Sequence, residues 1–109
     1  MIKIDIKPLS VNKCWQGRRF KTPDYKNYER DLMLMLPNIQ IPHSKLYIEV
    51  TFGFSNKASD IDNPLKPFLD ILQKKYKFDD KDIYELLVHK EIVKKGEEFV
   101  RFAIESVIY

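Results

Sequence analysis

The chain has a single cysteine, Cys14, so no internal disulfide is possible and a reducing cytoplasm is the compartment expected. Nothing around Cys14 makes a nucleophilic or zinc-binding pattern. Histidine is as scarce: His43 and His89 lie apart and away from the acidic segment, which leaves no His-rich metal set, and both read as surface residues. With three glycines there is no glycine-rich phosphate loop. Three glycines and six prolines also give no low-complexity or disordered signature. Stretches of ~20 apolar residues are missing, so no segment reads as membrane-spanning. The opening Met1–Lys7 alternates apolar and charged residues, unlike a signal peptide.

What remains is a globular composition, 44% hydrophobic and 32% charged, over 109 residues. That length predicts one domain over residues 1–109. A domain of this size buries roughly two-thirds of its unfolded surface, enough for one core. Net charge is only +3, but it is unevenly spread. Residues 1–50 carry nine Lys and Arg against five Asp and Glu; residues 51–109 carry ten against eleven. Between Lys13 and Lys26 the basic residues are Lys13, Arg18, Arg19, Lys21 and Lys26, with Asp24 the lone acid. A basic stretch beside an acidic cluster suits an enzyme that grips a polyanion. A plain solvated surface is the competing reading.

Ile2, Ile4 and Ile6 alternate with charged residues up to Pro8, a half-buried strand. Residues 9–21 show no period and read as a long loop, a feature that is usually functional in a small domain. Thr22-Pro23-Asp24 starts a helix: a capping hydroxyl, proline at the first helical position, acid in the first turn. Its apolar face is Tyr25, Tyr28, Leu32 and Leu36, and Pro37 should end it. Leu46, Ile48, Val50, Phe52 and Phe54 alternate strictly, predicting a strand across Lys45–Ser55. Leu65, Phe68, Leu69 and Leu72 mark a second amphipathic helix, capped by Asp62 or Asn63 with Pro64 at its first position. Pro67 disturbs that start, because its ring crowds the carbonyl four residues back. An irregular first turn is therefore expected, displaced outward. Two further alternating segments, Tyr84–Glu91 and Phe99–Ser106, flank a Lys94-Lys95-Gly96-Glu97 turn and read as a hairpin. The expected fold is α+β, order β-α-β-α-β-β, with a small mixed four-stranded sheet and two helices.

The chemistry concentrates in Asp60-Ile61-Asp62-Asn63-Pro64-Leu65-Lys66, followed by Asp79-Asp80. Clustered carboxylates repel one another and are tolerated mainly where a cation neutralises them. Hard oxygen donors suit Mg²⁺ or Mn²⁺. Asp60 and Asp62, two residues apart in an extended segment, point the same way. Of Asp79 and Asp80, adjacent at the start of a strand, one faces inward, and Asp80 is favoured. Lys66 is placed to stabilise charge developing on a phosphate. The plainer alternative makes these aspartates cap and turn residues, and Lys66 a surface partner of Asp70 four residues on. Asp70 itself reads as supporting.

Asp60-x-Asp62-Asn63-x-x-Lys66-x-x-x-Asp70-x-Leu72, then Asp79-Asp80-x-x-Ile83, resembles the signature of the RusA family of Holliday-junction resolvases. The strand ending at Pro8, Ser10-Val11-Asn12, the basic loop through Arg18-Arg19 and a helix containing Tyr28 agree with it. The resemblance covers nearly the whole chain. It implies a Mg²⁺-dependent homodimer that nicks four-way junctions symmetrically in DNA recombination and repair, in a family often carried by phages and prophages. It assigns Asp60, Asp62 and Asp80 to the metal, with Asp79 a helper, and matches Lys66 to the essential lysine. Pro64 and Pro67 stand where the family usually has ordinary helix formers, and Asp82 where Gln is common. Asn12, Lys13, Arg18, Arg19 and Lys21 are the candidate DNA contacts. Trp15 and Phe20 either stack at an opened junction or anchor the loop. Two other classes remain open: a junction-binding protein without catalysis, and a metal-dependent nucleotide phosphohydrolase.

Overall fold

Leu46, Ile48, Val50, Phe52 and Phe54 are all at least nine-tenths buried, so the alternation read in the sequence is the inner face of a central strand. In the computed structural model, which describes residues 1–108, this strand is β4 (Leu46–Phe54). Before it come β1 (Ile2–Ile4), a small ribbon of β2 (Trp15–Gln16) and β3 (Phe20–Lys21), and helix α1 (Pro23–Met35). Helix α2 (Leu65–Tyr76), β5 (Ile83–Ile92) and β6 (Phe99–Ser106) follow. The main sheet has the order β1-β6-β4-β5. β5 runs parallel to β4, and β6 runs antiparallel to both β4 and β1. The fold is α+β with two helices and a mixed four-stranded sheet, as the sequence pattern predicts.

The two helices lie on one face of the sheet. Phe68 of α2 is fully buried, edge-on to Phe52 at 5.9 Å and to Phe102 of β6 at 5.6 Å. Edge-to-face rings at such spacing add to the transfer energy of burial. Tyr25, Tyr28 and Leu32 of α1, with Leu36 just beyond it, close the same core, as their one-face spacing predicts. Thr22 caps α1 by accepting the Tyr25 N–H at 3.1 Å.

One pairing differs from the expectation. β5 and β6 are not a hairpin: β6 lies on the far side of β4. The connection crosses the end of β4, where the Val93 N–H donates to the Phe54 carbonyl at 2.7 Å. A turn sequence dictates reversal of direction, which is preserved here, but not the neighbour. Val100 and Phe102 are completely buried, and the place beside β4 beneath α2 supplies that burial. β5 is left as an edge strand.

Candidate active site

The acidic segment sits in a turn between β4 and α2. Asp60 and Asp62 are exposed, and the turn is closed by the Leu65 N–H donating to the Asp62 carbonyl at 3.1 Å. The helix begins later than the sequence suggests. Pro64, not Asp62 or Asn63, occupies the cap position, and no side chain caps the helix. The cause is Pro67: a helix starting after Asn63 would drive its ring into the Asn63 carbonyl. Starting at Leu65 places Pro67 in the first turn, where a missing N–H costs nothing. The Asn63 carbonyl is thereby free, and it accepts the N–H of Val11 from the basic loop at 2.8 Å. The Asp60 and Asp62 carboxylates are not spent on capping, and neither makes an ion pair among the described residues. Asp60 accepts one side-chain bond, from Asn63 Nδ2 at 3.3 Å.

Two residues that the sequence reading missed hold the flanks of this site. Lys90 of β5 donates its ammonium to the carbonyls of Lys57, at 3.0 Å, and of Ser59, immediately before Asp60. Gln73 of α2 accepts the Asp80 N–H at 2.9 Å. Both contacts join residues far apart in the chain, so no local pattern signals them.

Asp79 and Asp80 divide their labour. Asp79 caps a 3₁₀ turn over Asp80–Asp82, accepting the Lys81 N–H at 3.0 Å. That backbone bond, aided by the neighbouring Asp80 side chain and the Lys81 charge, holds the Asp79 carboxyl below the usual carboxylate range. Asp80 is exposed and makes no ion pair among the described residues. Lys66 projects from the first turn of α2 and pairs with Asp70 at 2.8 Å. The hydrogen bond to Asp70 is the main cause that raises its pKa, and the more distant Asp80 charge adds to it. Lys66 therefore stays cationic through the neutral range, with Asp80 inside its electrostatic reach.

Asp60 and Asp62 precede α2, whereas the Asp80 amide is fixed at the level of Gln73. Among the described residues no group of three or more His, Cys, Asp or Glu is gathered closely enough to hold a metal ion. The donors themselves are hard carboxylate oxygens without competing cations, the chemistry that suits Mg²⁺ or Mn²⁺.

The predicted loop is more ordered than expected. It contains a 3₁₀ turn over Val11–Lys13 and the β2–β3 ribbon, whose tip carries Arg18 and Arg19. Gly17, with φ +66°, supplies the left-handed residue that the tip requires. Asn12, Lys13, Arg18 and Arg19 are exposed. Lys21 is half-buried: its ammonium pairs with Glu29 of α1 at 2.8 Å and lies over the Tyr25 ring. Glu29 also takes Lys74 of α2 at 2.7 Å, so one carboxylate joins ribbon, α1 and α2. Trp15 rests edge-on against Tyr25 at 5.6 Å, an anchor, whereas Phe20 is 73% exposed. His43 and His89 are exposed, as expected, and Cys14 is buried. Among the described residues no helix is long and apolar enough to cross a membrane.

The sequence model of the family Endodeoxyribonuclease RusA matches residues 8–105, nearly the whole chain. No curated protein matches it.

Proposed function

The chain belongs to the endodeoxyribonuclease RusA family, the Holliday junction resolvases, and we propose from that membership how its own residues cut branched DNA. RusA-type nucleases are generally dependent on a divalent metal. Here the reading is Mg²⁺, with Mn²⁺ as a substitute, held by Asp60, Asp62 and Asp80. When bound, such an ion activates water and neutralises the phosphate under attack. The observation that carries this reading is that these three exposed carboxylates lack ion-pair partners among the described residues, although Lys66 lies in the first turn of α2, where it pairs with Asp70.

Lys66 places a permanent positive charge where the leaving oxygen gains negative charge. Asp70 supports it by holding the ammonium in position. Asp79 shapes the turn that presents Asp80. Asn12, Lys13, Arg18 and Arg19 grip phosphates without reading bases. Lys21, clamped to Glu29, fixes the ribbon. Phe20 at the ribbon's end is the residue suited to wedge into an opened branch point.

A homodimer that nicks symmetrically fits this role, because a four-way junction has approximate two-fold symmetry and two sites can cut opposed strands. Edge strand β5 supports it: Tyr84, Leu86, Leu87 and Ile92 are each more than 40% exposed on ten residues of strand paired on one side only. Antiparallel pairing of two copies about Leu87 sets Glu85 opposite the second copy's His89 and Leu86 opposite its Val88.

The test is cleavage of a labelled immobile four-way junction beside linear duplex of the same arms, in Mg²⁺ and in EDTA. Paired junction nicks that need Mg²⁺ are expected. Equal cutting of duplex, or cutting in EDTA, would contradict the reading.

A further inference from the structure

Beside the acidic turn lies a cleft of about 460 Å³, walled by Lys7, Lys13, Asn27, Tyr28, Asp60 and Pro64. Its volume falls in the ~300–1,000 Å³ range of small-ligand sites. One residue in its wall is anomalous. The Tyr28 hydroxyl is the one buried side-chain polar atom among the described residues without a hydrogen-bond partner. Burial, the largest cause, raises its pKa far above the ordinary phenol value, and only the nearby Leu9 backbone opposes this. That backbone group lacks hydrogen-bond geometry to the hydroxyl, so the phenol is a protonated donor with nothing to donate to. A buried donor left unpaired costs about 1–3 kcal/mol, so such groups normally mark an absent partner. The Asn27 carboxamide, one residue before Tyr28, is exposed and makes no side-chain bond among the described residues.

The wall chemistry identifies the missing partner. Lys7 and Lys13 supply two cations suited to a phosphate. Leu9, half-buried beside the buried Pro8 and Pro64, supplies apolar surface suited to a flat ring, and a phenol with a carboxamide suits the edge of a heterocycle. Of the three carboxylates in the wall, Asp24 lies in the first turn of α1 and Glu98 is already engaged by Ser55 and the Gly96 N–H. Asp60 ties the cleft to the cutting centre. Resting on the nuclease reading above, we infer that the cleft takes one base splayed out of the junction beside the scissile phosphate, with Lys7 and Lys13 on the flanking phosphate and Tyr28 and Asn27 on the base edge. Splaying is least costly where stacking is already interrupted, as at a branch point.

The experiment places 2-aminopurine in turn at each nucleotide flanking the exchange point of an immobile junction. Fluorescence and junction affinity are read in one titration in EDTA, without cleavage. Wild-type protein should raise the signal severalfold at one position. Tyr28→Phe, which keeps the ring and removes only the unpaired hydroxyl, and Asn27→Ala, at an exposed helix position, should each reduce that rise, with affinity falling less than about tenfold. Junction binding with no rise at any position, or a rise that both variants leave intact, would overturn the inference alone. Failure to bind the junction would overturn the nuclease reading with it.

Discussion

The backbone carbonyl of Asn63 accepts the N–H of Val11 at 2.8 Å, joining the acidic turn to the basic loop. Pro67 makes this bond available, since an ordinary residue there could offer its own N–H to the same carbonyl. Replacing Pro67 with Ala should let α2 extend backward and release Val11. We expect thermal stability to fall, because Pro67 is fully buried and its loss also frees the unfolded chain, and junction cleavage to drop by roughly ten- to hundredfold through misplacement of Asp60 and Asp62. Circular dichroism melts and single-turnover cleavage check the two together.

Lys90 is expected to act as a positioning residue. Its ammonium holds the Lys57 and Ser59 carbonyls, and with them the approach to Asp60. Lys90→Met should lower single-turnover cleavage by roughly tenfold while junction affinity changes little, and Lys90→Arg should recover part of the loss. A purely electrostatic role in DNA binding would lower affinity instead.

Glu29 should give the fold a measurable acid limit. Partial burial opposes its ionisation, but the hydrogen bonds from Lys21 and Lys74 outweigh this and hold its carboxyl below the unfolded value of 4.5. A carboxyl depressed on folding stabilises fully above its unfolded pKa and loses that contribution as pH falls through the lower folded one. Stability should therefore drop below about pH 4.5, and Glu29→Gln should be less stable at pH 7 with a shallower acid slope. Melting temperatures from pH 3 to 7 for both proteins check the sign.

Much of this was legible because burial acts on one face at a time. The period of β4, the Thr22 cap and the disturbance at Pro67 all follow from neighbours in sequence. The carboxylates and Lys66 were legible as chemistry. Three things were not. The place of β6 depends on which strand needs deeper burial. The start of α2 depends on a clash resolved by delaying the helix. The Lys90, Gln73 and Glu29 contacts depend on chain segments that meet only after folding.

The central claim, that the acidic turn carries the cutting chemistry, is tested most directly by Asp62→Asn. Its cleavage of an immobile four-way junction in Mg²⁺ is measured beside wild type, with junction affinity determined in EDTA. The account predicts a cleavage loss of roughly a thousandfold at near wild-type affinity, since Asp62 is exposed and holds no other side chain. Cleavage at the wild-type rate would contradict it.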